Sequence, residues 1–137
     1  MKSIPKLAVA ATMMLIGGQL SLAQATADDA QPALPVSIVK LLAQPASNNA
    51  KRVQVSGFLV LDFEGQALYL HREDYQEGLT RNAVRVALLP EQLKQYEDFA
   101  GSYVSIEASF IKRRNSEDIF TGSLFDVKEI RKTLSRH

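Results

Sequence analysis

Residues 51–63 read KRVQVSGFLVLDF and form the clearest strand pattern in the chain. The apolar residues that alternate onto one face are Val53, Val55, Leu59, Leu61 and Phe63. Gly57 stands where that face would otherwise carry leucine or valine, and a glycine inside a strong strand is typical of a bulge or a sharp bend. We therefore expect a long, bent strand that pairs in both halves of a small closed sheet.

Four more strand patterns follow this one along the chain. They read ALYLHR (67–72), AVRVALL (83–89), SYVSIEASF (102–110) and IFTGSLFDVKEI (119–130). The residues predicted to face inward are Leu68, Leu70, Val84, Val86, Leu88, Val104, Ile106, Ala108 and Phe110. The last pattern is interrupted at Gly122, and its apolar spacing slips between Leu124, Val127 and Ile130, which predicts a second bulge.

One helix is predicted between the third and fourth strand patterns. PEQLKQYEDF (90–99) begins with a proline at the first helical position and places Leu93, Tyr96 and Phe99 at nearly helical spacing, and Gly101 ends it. A short helix is also predicted from Val36, Val39, Leu41 and Leu42, with Pro35 in its first turn and Pro45 beyond its end. Residues 46–50 and 73–82 read as loops.

This order of elements predicts the fold. Three strands, a helix and two more strands match the small five-stranded Greek-key barrel called the OB-fold, in a mostly β chain with a short N-terminal helix. The alternative interpretation is an open antiparallel sheet covered by helices, an α+β arrangement.

Residues 1–27 resemble a signal peptide rather than part of the fold. Lys2 and Lys6 precede an uncharged apolar run from 7 to 20, and small-x-small patterns end at Ala23, Ala25 and Ala27. The run is shorter than the roughly 20 residues that span a bilayer. We predict a signal peptide (1–27), a linker (28–35), a barrel domain (36–131) and a C-terminal tail (132–137), hence a periplasmic or secreted protein with no stable membrane anchor after cleavage.

Composition limits the class of protein further. The chain has 137 residues, 46% of them hydrophobic and 23% charged, which fits one globular domain. It has no cysteine, so disulfides, thiolate catalysis and cysteine-ligated metals are excluded. Removing Lys2 and Lys6 takes the formal net charge from +1 to −1, because every acidic residue lies at or after Asp28. This balance gives no global attraction to nucleic acid or to an acidic membrane.

The segments VQVSGFLVLDFEGQALYLHREDY, AVRVAL, GSYVSIEASF and FTGSL resemble a family of small exported bacterial proteins. The similarity covers roughly residues 36–131, and it implies an OB-like barrel and export. The family is mostly uncharacterised, so the resemblance brings no catalytic residues. Its members often carry a glycine- and histidine-rich stretch in the last hairpin, where this chain has residues 113–116, RRNS, so a metal or ligand role tied to that stretch does not carry over.

The chain shows no catalytic or metal-binding pattern. His71 is the one histidine inside the predicted domain, and a single imidazole without cysteine cannot form a histidine-rich metal site. The acidic pairs Asp62/Glu64, Glu73/Asp74 and Glu117/Asp118 all fall at predicted turns, where acidic residues are common. Nucleophile-elbow and phosphate-loop motifs are absent. We therefore predict no enzyme activity, no cofactor and no metal.

A candidate ligand-binding face remains. Lys112, Arg113 and Arg114 fall in the loop between the last two strands, which flanks the usual OB binding face. Aromatic and basic residues predicted to project outward from the sheet are Phe58, Tyr69, Tyr103 and Arg85, and His71 faces solvent or a surface groove. The competing interpretations are that the loop is a solvated turn, and that Phe58 and Val60 pack under the N-terminal helix.

These observations favour a small exported OB-like binding domain without catalytic activity, whose ligand is a protein, a peptide, a glycan or a small anion. An alternative is a periplasmic inhibitor or immunity-type protein that acts on a partner enzyme in the envelope. A third hypothesis is binding of single-stranded nucleic acid, which outward aromatics with interleaved arginines would suit. The charge of −1 and the predicted export both disfavour nucleic acid as the partner.

Overall fold

A computed structural model describes residues 32–63 and 65–134. The predicted signal peptide, residues 28–31 of the predicted linker, Glu64 and His137 lie outside the described residues. The six strands are β1 (Leu34–Pro35), β2 (Arg52–Asp62), β3 (Gly65–Tyr69), β4 (Ala83–Val86), β5 (Tyr103–Lys112) and β6 (Gly122–Lys132). The second and third predicted strands therefore end earlier than their sequence patterns suggest, and the fifth begins later.

Within residues 32–63 and 65–134, three short α-helices accompany the strands: α1 (Ile38–Ala43), α2 (Arg72–Gln76) and α3 (Pro90–Tyr96). Turns of 3₁₀-helix cover Pro45–Asn48, Thr80–Asn82 and Glu97–Phe99. Helix α3 begins at the proline and lies between the third and fourth barrel strands, as predicted. Helix α2 was not predicted, because residues 73–82 read as a polar loop.

The sheet closes into a five-stranded barrel. Its strands follow the order β2-β3-β4-β6-β5, and β5 pairs with β2 to complete the circle. The β4–β6 pair is parallel and the other four barrel pairs are antiparallel. The chain is therefore mostly β with a small OB-like barrel, and the closing β2–β5 pair excludes the alternative open sheet.

The barrel interior holds the alternating apolar residues of every barrel strand. Facing pairs include Val55 with Ile106 and Leu68 with Val84. The inward residues predicted for the fourth strand, Val104, Ile106, Ala108 and Phe110, are all fully buried. Helices α1 and α3 contribute Ile38, Leu41 and Tyr96 to the same apolar cluster. The prediction that Phe63 faces the barrel interior is wrong, because Phe63 follows the end of β2 and is fully exposed.

Gly57 is not a bulge, because the pairing of β2 with β5 runs without interruption from Arg52 to Phe58. A Cβ atom at this position would lie 2.5 Å from the carbonyl oxygen of Tyr69 and 2.9 Å from Cγ of Leu68. Glycine is needed here because β3 approaches β2 too closely for any side chain. The residue thus marks the place where β2 passes from pairing with β5 to pairing with β3.

The bulge predicted in the last strand is confirmed. The register of β5 with β6 shifts between Glu107 and Ser109, which face Glu129 and Phe125. Asp126 lies in this irregularity with a φ of 48°. Because extra residues enter β6 at this point, Leu124, Val127 and Ile130 can all be buried although their spacing is uneven.

The N-terminal part of the described chain differs from the prediction. Pro35 belongs to β1, which runs parallel to β2 and pairs with it at Val53 and Gln54. Helix α1 begins instead at Ile38, and Ser37 caps it, because its hydroxyl accepts a hydrogen bond from the backbone N–H of Lys40. The predicted linker therefore ends in an edge strand. At the other end, Lys132 belongs to β6 rather than to the predicted tail.

Candidate functional site

The seven predicted site residues fall into two groups in the structure. Five of them lie on the outside of the barrel. They are Phe58 on β2, Tyr69 on β3, Arg85 on β4, Tyr103 on β5 and His71 immediately before α2. Arg113 and Arg114 lie in the loop between β5 and β6. The structure does not unite all seven in one cavity.

Phe58 and Tyr69 are not available to a ligand as an open stacking surface. They face away from the barrel interior, as predicted, but only 5% and 7% of their surface is exposed. They belong to a second apolar cluster that also contains Val60, Ala67, Ala83 and Phe120. This outer cluster explains why β2 is buried on both faces between Gly57 and Val60.

The outer cluster is covered by α2 and by the β5–β6 loop, not by the N-terminal helix. The ring of Tyr75 in α2 lies 6.3 Å from Phe58 and 5.4 Å from Tyr69, measured between ring centres. Phe120, which lies two residues before the start of β6, is buried in the same cluster. The interpretation that Phe58 and Val60 pack under the N-terminal helix is therefore wrong, because Ile38 and Leu41 of α1 join the interior cluster.

Tyr103 lies at the border of this covered region and is 39% exposed. Its ring centre is 5.4 Å from that of Phe58, and its hydroxyl accepts a hydrogen bond from the backbone N–H of Arg72. The guanidinium of Arg72 lies 5.4 Å from the centre of the Phe58 ring, a cation–π arrangement. These contacts anchor the start of α2 to the barrel.

His71 is exposed, which agrees with its predicted position facing solvent or a surface groove. It immediately precedes α2. Its backbone N–H donates to Asp74, whose other carboxylate oxygen accepts from the side-chain amide of Asn82. The sequence pattern places Glu73 and Asp74 together at a predicted turn. In the structure Asp74 is buried, whereas its neighbour Glu73 is exposed. The sequence signal for this capping role is that Asp74 is an acidic residue at the third position of α2, as in a capping box.

Arg85 holds the β5–β6 loop against the barrel. Its guanidinium lies 3.6 Å from the Asp118 carboxylate and 5.1 Å from the centre of the Phe120 ring. Asp118 also accepts a hydrogen bond from the backbone N–H of Phe120, and its own N–H donates to the side chain of Asn115. Arg85 is thus largely committed to contacts within the protein.

A small side cavity of about 220 Å³ opens beside Arg85. Aromatic rings of Tyr69, Tyr75 and Phe120 line it, together with Asp62. The Tyr75 hydroxyl donates a hydrogen bond to the Asp62 carboxylate. Burial raises the pKa of Tyr69 above its ordinary value, and the negative charge of Asp62 raises it further. We call this the side cavity; the rest of its lining is Val60, Gly65, Ala67, Thr80 and Ile119.

A larger groove of about 800 Å³ runs along the β5–β6 loop. We call it the basic groove because the cations Arg81, Lys112 and Arg113 line it. The remaining lining residues are Leu42, Pro45, Thr80, Ser116, Glu117, Asp118, Ile119 and Thr121. Arg114 is exposed but does not line the groove. Arg81 was not among the predicted site residues, and no sequence pattern singles it out.

The three groove cations form no ion pair with any carboxylate of residues 32–63 and 65–134. Of the two acidic groups in the lining, Asp118 is already engaged by Arg85. Glu117 is the other acidic group. The local balance in the groove is therefore positive, opposite to the charge of −1 expected for the chain without its first 27 residues.

The described residues contain no group of three or more histidine, aspartate or glutamate residues placed to hold a metal ion. None of the helices they form is long and apolar enough to cross a membrane.

Comparisons with known proteins identify no family. The chain matches no protein-family model and no curated protein. Among solved structures, it is similar to a crystal structure described as an aspartyl-tRNA synthetase from Leishmania major Friedlin, with a TM-score of 0.44 and 17% sequence identity. That match covers 76% of this chain but only 22% of the other.

Proposed function

We propose that this protein is a small exported binding domain that holds an anionic ligand in the basic groove and does not transform it. The single observation that carries this proposal is the convergence of Arg81, Lys112 and Arg113 without ion-pairing carboxylates among the described residues. Cations that have no internal partner are free to form charge-assisted hydrogen bonds with a bound anion. The volume of the groove lies in the range of small-molecule sites.

Binding without catalysis is favoured by the chemistry of the lining. Among the described residues of the groove there is no histidine, and the chain has no cysteine. Ser116, Thr80 and Thr121 supply hydroxyls, but among the described residues none of these hydroxyls forms a hydrogen bond with a carboxylate or an imidazole that would activate it. Hydroxyls and cations of this kind can hold an anion, whereas nucleophilic catalysis needs a base within hydrogen-bond reach.

A small anion suits the structure better than a nucleic acid. Phe58 and Tyr69, which a single strand would need as a stacking platform, are buried beneath α2 and Phe120. A long polyanion would also extend beyond the groove and meet a chain of net charge −1. We therefore expect the groove cations to attract an anion small enough to fit within the groove.

The proposal is tested by isothermal titration calorimetry with inorganic pyrophosphate as the probe. We expect saturable binding to the wild type, and a loss of affinity of about tenfold or more in the double variant Lys112→Ala/Arg113→Ala. The affinity should also fall as salt is added, because exposed charges are screened.

The matched control is Lys94→Ala/Lys128→Ala, which removes two exposed cations that do not line the groove. Its affinity should stay within about twofold of the wild type, because neither side chain lines the groove and salt screens exposed charges that do not contact the ligand. Absence of binding at about 10 mM pyrophosphate would contradict the proposal. So would equal losses in the two double variants, because the attraction would then be non-specific.

A further inference from the structure

The basic groove and the side cavity are neighbours rather than separate sites. Thr80 and Ile119 line both of them, and Asp118 in the groove is followed along the chain by Ile119 and then by Phe120 in the cavity. Ile119 is 60% exposed and belongs to neither apolar cluster. A ligand that occupies the groove can therefore reach the cavity past an exposed side chain, without displacing a packed one.

The two compartments offer different chemistry. The groove presents the cations Arg81, Lys112 and Arg113, whereas the walls of the side cavity are mainly aromatic and aliphatic. The cavity volume of about 220 Å³ exceeds the roughly 150 Å³ of an apolar cavity that holds benzene. One planar ring therefore fits, in contact with the rings of Tyr75 and Phe120.

Resting on the proposed function, we propose that the ligand is an aryl anion, a small molecule in which an aromatic ring is joined to a phosphate-like group. The anionic group binds the cations of the basic groove, and the ring passes Ile119 into the side cavity. Arg85 borders the ring from the Phe120 side, where its guanidinium already lies over an aromatic face. Binding energy then comes from both compartments, and neither part of the ligand alone binds as tightly.

The structure offers a clean way to close the side cavity. Gly65 lines it, and a Cβ atom at this position would have no heavy atom within 4 Å. Gly65, Ala67 and Tyr69 share the outer face of β3, because alternate residues of a strand point the same way. Gly65→Val therefore places its side chain toward the cavity with no backbone clash, and a thermal melt verifies that the variant is folded.

The experiment compares inorganic phosphate, phenyl phosphate and adenosine monophosphate by NMR titration of the same ¹⁵N-labelled chain. In the wild type, we expect at least one of the two ring-bearing phosphates to bind roughly tenfold more tightly than inorganic phosphate, because a ring is buried. A gain for phenyl phosphate assigns a simple aryl group, and a gain for adenosine monophosphate alone assigns a nucleobase. Gly65→Val should abolish the gain and leave the affinity for inorganic phosphate unchanged.

The possible failures are distinguishable. In one failure, inorganic phosphate binds and Lys112→Ala/Arg113→Ala weakens that binding, while neither ring-bearing phosphate gains affinity; this result overturns the aryl-anion inference and leaves the proposed function standing. A gain that survives in Gly65→Val also overturns the inference, because the ring would then lie elsewhere. If no anion responds to the groove variant, both proposals fail.

Discussion

Two glycines show how closely the strands of this barrel approach one another. At Gly57 an added Cβ atom would contact the backbone of β3, and at Gly122 it would lie 2.5 Å from the ring of Phe110. Gly65 is the opposite case, because its surroundings are open. Packing therefore requires glycine at positions 57 and 122, but not at position 65.

We predict that Gly57→Ala destabilises the protein by about 3 kcal/mol, because the obstructing atom belongs to the backbone and cannot rotate away. Gly65→Ala is the matched control and should be neutral or stabilising by up to about 1 kcal/mol, since it restricts the unfolded chain without a clash. Urea unfolding followed by circular dichroism measures both. Equal stability of the two variants would show that β3 does not approach β2 as described.

Asp74 gives a second test at the scale of one residue. It is buried and accepts hydrogen bonds from the backbone of His71 and the side chain of Asn82. Asp74→Ala should cost about 1–3 kcal/mol, because the two donors lose their partner. Glu73→Ala, at an exposed position of the same helical turn, should change stability by less than about 0.5 kcal/mol. A similar cost for both variants in thermal unfolding would contradict the structural role of Asp74.

At the scale of elements, the β5–β6 loop joins the two compartments of the candidate site. Arg85 on β4 binds the loop through Asp118, and Phe120 fills the outer cluster that covers β2 and β3. The same loop supplies Arg113 to the basic groove. The position of the groove therefore depends on the anchoring of Phe120.

We predict that Phe120→Ala destabilises the protein by about 3 kcal/mol, in the range of buried phenylalanine truncations. It should also weaken pyrophosphate binding, because the loop that carries Arg113 loses its anchor. Ile119→Ala serves as the control and should cost less than about 1 kcal/mol, since Ile119 is mostly exposed. Differential scanning calorimetry and the pyrophosphate titration measure the two effects. Wild-type affinity in Phe120→Ala would show that the loop is positioned by other contacts.

The barrel strands were predictable from the sequence because each alternates between an apolar inner face and an outer face. The covering of Phe58 and Tyr69 was not, since alternation shows which way a side chain points but not what lies over it. Helix α2 is a single short turn of mostly charged and polar residues, REDYQ, and leaves no periodic signal. Lys112 and Arg113 of the basic groove were singled out from the sequence, but Arg81 was not. Arg81 is distant from them in sequence, and only the tertiary structure brings it to the same groove.

At the scale of the whole molecule, the small barrel is expected to follow a signal peptide that directs export. The pattern of residues 1–27 predicts that the exported chain begins at Gln24, Thr26 or Asp28, after cleavage that follows Ala23, Ala25 or Ala27. Expression in a Gram-negative host, followed by mass spectrometry of the periplasmic fraction, checks this prediction. Recovery of the chain with Met1 and Lys2 still attached would contradict it.

The central claim is that an anion binds at the groove formed by Arg81, Lys112 and Arg113. The most direct measurement is a ¹⁵N NMR titration of the chain without residues 1–27 with inorganic pyrophosphate, followed residue by residue. We predict saturable shifts of the backbone amides of these three residues and of Ile119, with little change at Lys94. Shifts that map mainly to Lys94, or no saturable shift at any described residue, would contradict the account.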